Sequence, residues 1–389
     1  MFRREISRTL EKRLYEPRSF IQVVMGPRQT GKTTAIKQAV KEAGLPVRVA
    51  SADSAIELGA DWIELEWRQA RNMAISGAKA VLVLDEIQKV VQWSQTVKRL
   101  WDEDSWNDVP LLVILSGSSS LLIGSGLSES LAGRYELLRS THWGLSEMSE
   151  AFDYNLSDYL EFGGYPGAAI LKGDEDRWRE YMRDSIVEST ISRDVLQMEN
   201  VRKPALMRAL FELGAQYSAQ ELSYRKILGQ LDDKGNTDTI KHYLDLLSGA
   251  GMISGLQKFD DKPIKAKASS PRLMVHDPAL MTSMWHGKGS LLEDPDLYGH
   301  LVETAVGAYL IARSAIDGFD LYWWRDGDLE VDFVLRRAQD ITAIEVKSGR
   351  VSKSGMGAIC KTYPKASPII VGDRNTPLED FLRGKVPLF

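Results

Sequence analysis

Three uninterrupted apolar runs lie in the first third of the chain, and each ends in polar or glycine-containing sequence. The runs open the stretches "IQVVMGPRQTGKTT" (21–34), "AVLVLDEIQ" (80–88) and "VPLLVILSGSSS" (109–120). Apolar runs without polar alternation are typical of strands buried on both faces of a parallel sheet. Helix-forming sequence follows the first run, so the pattern predicts an α/β domain over residues 1–145.

Helical spacing of apolar residues dominates the middle of the chain. Residues 146–203 are predicted to be helical, with a break at Gly163–Gly167, and to form a lid on the first domain. Residues 205–259 predict three amphipathic helices and a strand, with Ser218 and Asn236 or Thr237 as helix caps. The stretches "MISGLQKF" and "IKAKASSPRLMVHD" predict a hairpin, which completes the pattern of a winged helix over residues 204–285.

A further α/β pattern occupies residues 286–389. The stretch "GHLVETAVGAYLIARS" from Gly299 has the periodicity of an apolar helix. The stretches "FDLYWWRDGDLEVDFVL", "DITAIEVKS" and "ASPIIVGD" then predict strands. The carboxyl-terminal residues therefore predict a separate domain.

Composition narrows the class of protein. A chain of 389 residues predicts two to four domains, and 43% hydrophobic with 26% charged residues fits a globular protein. The formal net charge of -5 argues against coating nucleic acid by bulk charge, so any such surface must be local. The single cysteine, Cys360, suits a reducing compartment. No signal peptide or bilayer-spanning stretch is recognisable, which predicts a cytoplasmic protein.

The first apolar run leads into a P-loop, Gly26-x-x-x-x-Gly31-Lys32-Thr33, in its required strand–loop–helix context. Backbone N–H groups of such a loop wrap phosphates, and the following helix adds positive field. We expect Lys32 to reach the outer phosphates of ATP and Thr33 to ligate Mg²⁺. The residues expected to hold the nucleotide are Gly26, Pro27, Arg28, Gln29, Thr30, Gly31, Lys32, Thr33 and Thr34. The alternative is a chance glycine turn before a helix.

The second and third runs predict the hydrolytic groups. Asp85 would hold the Mg²⁺ shell, and Glu86 would orient or deprotonate the attacking water. Alternatively, these acids merely cap a helix. The third run is expected to lie between the first two in the sheet and to sense the γ-phosphate through Ser118, although Ser119 is its neighbour and a serine-rich turn is equally compatible.

An arginine follows a small flexible pair in "LAGRYELL" (131–138). Arg134 is predicted to be supplied across a subunit boundary to stabilise transition-state charge, which implies a homo-oligomer. A pair with a surface carboxylate is the alternative.

These motifs together resemble a known family. The stretches "GPRQTGKTT", "LDEIQKV", "LSGSSS", "LAGRYELL" and "FGGYPGA" (162–168) are similar to an AAA-type ATPase family of bacteria and archaea. In that family the carboxyl-terminal region of unknown function ends in a restriction-endonuclease-like core. The resemblance implies a P-loop AAA-type ATPase domain with helical lid, a winged-helix domain and an α/β restriction-endonuclease-like domain. It also implies ATP binding and ATPase activity, with an undefined biological role.

Basic residues of the predicted winged helix suggest contact with duplex or branched DNA. In its third helix Ile240, Tyr243, Leu244 and Leu247 should face the core and leave Thr239, Lys241 and His242 outward. The candidate DNA contacts are Lys241, His242, Lys262, Lys265, Lys267 and Arg272. The alternative is a packing or protein-interaction module, since Asp238 would repel a phosphate.

The carboxyl-terminal strands carry a candidate metal site. A helix with Glu303, a strand with Asp332 and the pair Glu345-x-Lys347 match the order of a restriction-endonuclease-like core. Period-two geometry places Glu345 and Lys347 on one face, where the three carboxylates would hold Mg²⁺ and Lys347 would stabilise developing charge. Alternatively, Asp332 and Lys347 form a cross-strand ion pair and Glu303 is a helix-end charge.

Three functional hypotheses follow, and all share the ATPase. The first is an ATP-driven, DNA-associated motor or switch. The second is an ATP-gated, Mg²⁺-dependent DNA nuclease. The third is a signalling switch that uses the carboxyl-terminal domains for protein contacts.

Overall fold

A computed structural model describes residues 2–54, 59–74, 78–118, 127, 130–196, 201–231, 236–260, 269–287, 291–348 and 354–389. The chain divides into two compact units, Met1–Thr141 and His142–Phe389. The four domains expected from the sequence stay a prediction. No helix within the described ranges is long and apolar enough to cross a membrane.

The first unit is built on a five-stranded parallel sheet. Its strands are β1 (Ile21–Met25), β2 (Val47–Ser51), β3 (Ala80–Asp85), β4 (Leu111–Gly117) and β5 (Tyr135–Arg139). Their order is β2-β3-β4-β1-β5, and every neighbouring pair is parallel. β4 lies between β1 and β3, which confirms the position predicted for the third apolar run.

Helices cover both faces of this sheet. They are Glu5–Tyr15, Lys32–Ala43, Ala60–Met73 and Trp93–Trp106, with one-turn helices at Ala52–Ser54 and Ile87–Lys89. Val23 of β1 belongs to the core cluster with Trp67, whereas the next residue, Val24, belongs to the cluster with Leu10. Successive side chains thus bury on opposite faces, which explains why the strands have no polar alternation.

The second unit begins with helical sequence. Its α-helices here are Leu145–Phe152, Leu156–Phe162 and Glu175–Tyr181, with a one-turn helix at Ala169–Leu171. Two π-helical segments follow, Met182–Glu188 and Thr190–Val195. The predicted helical character of this region is therefore observed.

Three helices and a two-stranded sheet come next. The helices are Pro204–Gln216, Tyr224–Gln230 and Thr237–Gly249, and the strands β6 (Ile253–Leu256) and β7 (Arg272–Val275) pair antiparallel. Short helices at Pro278–Thr282 and Leu378–Leu382 belong to the same unit.

The helix caps in this region agree only in part with those predicted from the sequence. Asn236 caps its helix by accepting the N–H of Asp238, as predicted. Ser218 does not cap a helix, because it is buried and its Oγ accepts the N–H of Val275 at 3.3 Å. Ser223 caps the helix Tyr224–Gln230 instead. The four residues predicted to face the core of the third helix, Ile240, Tyr243, Leu244 and Leu247, are buried.

A mixed four-stranded sheet completes the second unit. Its strands are β8 (Asp320–Asp326), β9 (Leu329–Arg337), β10 (Asp340–Val346) and β11 (Ala366–Val371), in the order β11-β10-β9-β8. β8, β9 and β10 form an antiparallel meander, and β11 pairs parallel to β10. The helix Pro295–Asp317 precedes the meander, and the helix Met356–Thr362 lies in the connection between the parallel strands.

Candidate active site

The P-loop connects β1 to the helix that begins at Lys32. Gly31 has φ 84° and Gln29 has φ 57°, so the loop turns through the left-handed region twice. Lys32 is buried, and its Nζ donates to the carbonyl oxygens of Gly26 at 2.9 Å and Pro27 at 2.7 Å. The ammonium group is therefore folded against the loop that the motif predicts for phosphate binding.

Glycine at position 26 is required by a close backbone approach. A Cβ at Gly26 would lie 1.8 Å from the carbonyl oxygen of Ser140, at the end of β5. The Ser140 N–H donates to Met25 O at 2.6 Å, which holds the two chain segments together. The sheet edge thus constrains the start of the loop.

Arg4 supports the other side of the loop, although it was not among the residues predicted from the sequence. Its buried guanidinium donates through Nη1 to Thr30 O at 3.0 Å, Ser140 Oγ at 3.1 Å and Thr141 O at 3.1 Å. Thr30 Oγ1 also donates to Pro27 O at 3.0 Å. No spacing signal could have identified Arg4, because its partners lie 26 and 136 residues along the chain.

The P-loop threonine and the first acid at the end of β3 lie side by side. Thr33 Oγ1 donates to Asp85 Oδ2 at 3.1 Å. Ser116, on the neighbouring strand β4, donates to the other carboxylate oxygen, Oδ1. A hydroxyl next to a carboxylate is an oxygen donor set that suits Mg²⁺. Thr33 and Asp85 therefore fit the implied cation.

Ser116 was not among the predicted residues, although a signal was present. Ser116 lies on β4, two positions before Ser118, which directly follows the end of that strand. Period-two geometry extended by one residue places both serines on the same side. Ser118 donates to Glu86 Oε2 at 3.1 Å. The two serines thus hold the two successive acids, and Ser119 lies outside the described residues.

Glu86 is held away from the usual strand conformation. Its φ of 52° is left-handed, and the residue is only 8% exposed. Besides Ser118, Gln88 donates through Nε2 to Glu86 Oε2 at 2.5 Å. The candidate general base is therefore a largely buried carboxylate with one oxygen bound by two neutral donors.

Arg134 pairs with a carboxylate of its own chain. Its Nε donates to Asp102 Oδ1 at 2.7 Å, and this hydrogen bond lowers the pKa of Asp102. The pair is partly exposed and joins the start of β5 to the helix Trp93–Trp106. The alternative given for the sequence, an ion pair between Arg134 and a surface carboxylate, describes this arrangement. A role of Arg134 in the active site of a neighbouring subunit stays a prediction.

The candidate DNA contacts separate into three groups. His242 is exposed, and the partly exposed Lys241 holds its Nζ 5.1 Å from the ring of Tyr224. The residues Lys262, Lys265 and Lys267 lie outside the described residues. The prediction for Arg272 was wrong, because Arg272 is 3% exposed and pairs with Glu330 and Asp332. A side chain buried between sheets is not available to a DNA phosphate.

The carboxyl-terminal acids do not form the predicted three-carboxylate site. Within the described ranges no three His, Cys, Asp or Glu side chains come together closely enough to hold a metal ion. Asp332 accepts from Arg272 at 3.3 Å and from the N–H of Val346 at 2.8 Å. Burial raises the pKa of Asp332 to about 6, the charge of Glu303 adds to this, and Arg272 opposes it.

Glu345 is satisfied by other partners. It is 2% exposed, pairs with Lys347 and accepts a hydrogen bond from Ser354. Glu303 lies near His300, with Oε2 3.8 Å from Nδ1. Among these residues the structure therefore has neither the expected cation cluster nor the alternative Asp332–Lys347 pair. Asp332 pairs with Arg272, Glu345 pairs with Lys347, and Glu303 lies beside His300.

Three family models match the chain in succession. Residues 18–149 match the family described as AAA domain, residues 153–291 match Domain of unknown function (DUF8612), and residues 298–383 match Domain of unknown function (DUF4143). No curated relative matches the chain. The AAA match covers the residues that carry the P-loop and the acids at the end of β3, and it supports an AAA-type ATPase domain over residues 18–149.

Solved structures with weak similarity include two of RuvB from Thermotoga maritima. The first is described as a Holliday junction branch migration motor and has 17% identity, a TM-score of 0.33, and coverage of 64% of this chain and 89% of its own. The second, a point mutant of that RuvB, has 16% identity, a TM-score of 0.32, and coverage of 64% and 86%.

Proposed function

We propose that the chain binds ATP at the P-loop and hydrolyses it with Glu86 as general base. The observation that carries the proposal is the 3.1 Å hydrogen bond between Thr33 and Asp85, since it joins the phosphate loop to the acidic strand end. Glu86 follows Asp85 directly and accepts a hydrogen bond from Ser118, which follows the end of the neighbouring strand β4. Loop, acids and serine thus meet at the carboxyl edge of one parallel sheet.

Each group has a separate task in this reaction. The Lys32 ammonium and the N–H groups of the loop neutralise the phosphates. Thr33 and Asp85 would hold Mg²⁺, which supplies charge stabilisation to the outer phosphates when bound. Glu86 accepts the proton of the attacking water as it adds to the γ-phosphorus, and ADP leaves.

Two substitutions test the proposal. Lys32→Ala should lose ATP binding, whereas Glu86→Gln should keep binding and lose turnover, measured by nucleotide titration and phosphate release. Lys37→Ala, an exposed lysine on the same helix, and Glu16→Gln, an exposed acid, are the matched controls. Unchanged turnover in both test variants would refute the assignment of the site.

We further propose that the second unit associates with DNA. Three helices followed by an antiparallel pair have the order of a winged helix, and Lys241 and His242 lie on the solvent side of the third helix. The carboxyl-terminal elements follow one another as a helix, a three-stranded meander, a second helix and a parallel strand. This order supports a restriction-endonuclease-like core. These modules would engage duplex or branched DNA, with Arg134 coupling hydrolysis to a homo-oligomer.

The salt dependence of DNA binding tests this part. Fluorescence anisotropy with duplex and four-way branched DNA should show binding that weakens as salt rises. Lys241→Glu, and the pair Lys265→Glu with Lys267→Glu, should each weaken it, whereas Lys37→Glu on the first unit should not. No binding at low salt would overturn DNA association and favour the protein-contact hypothesis.

A further inference from the structure

Gln88 occupies an unusual position beside the candidate general base. It lies on the one-turn helix Ile87–Lys89, immediately after Glu86, and is 8% exposed. Its Nε2 donates to Glu86 Oε2 at 2.5 Å. Its Oε1 is buried and accepts no hydrogen bond from any residue in the described part of the chain. A buried amide oxygen without a hydrogen bond is destabilising, so packing alone does not favour glutamine here.

The hydrogen bonds on Glu86 are distributed unevenly. Gln88 and Ser118 both donate to Oε2, at 2.5 Å and 3.1 Å. Oε1 accepts nothing from the described side chains and backbone. One oxygen is therefore fixed by two donors while the other keeps its lone pairs for a further partner. A general base needs this arrangement, because its reactive oxygen must point at the water and hold that direction.

The backbone around Gln88 restricts its movement. Glu86 is in the left-handed region at φ 52°, and the turn closes with hydrogen bonds from Lys89 N to Glu86 O at 3.1 Å and from Val90 N to Ile87 O at 3.1 Å. Lys89 also forms an ion pair with Asp53. The amide of Gln88 is thus presented to Glu86 from a tethered turn.

We propose that Gln88 is a positioning residue for ATP hydrolysis, which holds Oε2 of Glu86 so that Oε1 faces the attacking water. This inference rests on the proposed ATPase function. Gln88 acts through Glu86 and does not itself touch the substrate. Ser118 provides the second donor from the residue that directly follows β4, so the carboxylate is held from two segments at once.

The test uses the full chain with Gln88→Met, which keeps the length of the side chain and removes the donor. We expect kcat to fall on the order of 10²-fold, because a displaced base is inefficient, while KM for ATP changes less than about twofold. In the Glu86→Gln background the same substitution should cause no further fall, since the base that it positions is gone. Gln88→Asn, which keeps the amide on a shorter stem, should give an intermediate kcat.

Other outcomes would overturn the inference. An unchanged kcat, a KM increase that matches the kcat loss, or a full additional loss in the Glu86→Gln background would each show that Gln88 is only a packing residue. If wild-type protein hydrolyses no ATP, or Glu86→Gln retains turnover, the proposed function itself is wrong and the inference falls with it. Normal ATP binding by Gln88→Met and Gln88→Asn would show that a lost rate is not lost folding.

Discussion

Arg272 and Asp332 form an ion pair inside the second unit, with Nη1 3.3 Å from Oδ1. Arg272 lies on β7 of the two-stranded sheet, and Asp332 lies on β9 of the four-stranded sheet. The guanidinium also pairs with Glu330 and lies over the ring of Trp323, 5.4 Å from its centroid. One buried arginine therefore joins two sheets.

Replacing this arginine should destabilise the second unit. Arg272→Leu leaves the largely buried Asp332 without its cation, whereas Glu330 keeps its pair with Arg325. Breaking a buried pair in this way costs about 3–5 kcal/mol. Urea unfolding followed by tryptophan fluorescence measures the change in free energy. Arg336→Leu, at an exposed position of β9, should change it by less than about 0.5 kcal/mol. Equal effects of the two substitutions would contradict the buried-pair explanation.

Asp277 should make the stability of the second unit depend on pH. Its carboxylate is 1% exposed, and it accepts the N–H of Gly164 at 2.8 Å and of Ala279 at 3.0 Å. Burial raises the pKa of Asp277 to about 7, against these two hydrogen bonds. The folded state therefore holds a proton that the unfolded state releases near pH 4.

The direction of the pH dependence of stability follows from this difference in proton binding. Between about pH 4 and pH 7 the folded state binds more protons, so the free energy of unfolding falls as pH rises, by up to about 1.4 kcal/mol per pH unit, and levels off above pH 7. Asp277→Asn should remove the contribution of Asp277 to this slope and leave the part below about pH 6 that the raised pKa of Asp332 adds. Asp326→Asn, at an exposed position, should keep the wild-type slope. Parallel stability curves for wild type and Asp277→Asn would argue against the raised pKa.

Gly26→Ala should weaken ATP binding strongly. The added Cβ would lie 1.8 Å from the backbone carbonyl of Ser140, so the loop or the end of β5 must move. We expect ATP affinity to fall at least ~10²-fold, since displacement of positioned groups is costly. Isothermal titration measures it. Gly59→Ala is the control, because a Cβ there meets nothing within 4 Å, and an unaltered affinity in Gly26→Ala would be inconsistent with the packing.

Comparing Arg134→Ala with Asp102→Asn distinguishes a catalytic role of Arg134 from a role confined to its ion pair with Asp102. The pair with Asp102 is partly exposed, so its loss should cost no more than about 1 kcal/mol of stability. If Arg134 stabilises transition-state charge in a neighbouring subunit, turnover should fall by about 10³-fold or more. Asp102→Asn removes the same pair and keeps the guanidinium, so its turnover should stay near wild type. Similar turnover in both variants would exclude the subunit role.

Much of the nucleotide site could be predicted from local sequence. The P-loop spacing defined Lys32 and Thr33, and an apolar run ending in two acids defined Asp85 and Glu86. These positions follow from chain geometry alone, because parallel strands end at one edge and a glycine loop before a helix presents its N–H groups there. The same logic places Ser116 with Ser118, although only Ser118 was predicted.

Tertiary packing decided what each charged group meets. Arg272 looked like an exposed residue on a basic hairpin, yet its partner lies 60 residues further on, and Arg4 meets Ser140 136 residues away. The carboxylates Asp332 and Glu345 are divided between Arg272 and Lys347 instead of sharing a cation. Sequence periodicity determines which face a side chain occupies, whereas its partner depends on which faces pack together. A buried charged group then needs such a partner, since an unpaired charge inside the protein is strongly destabilising.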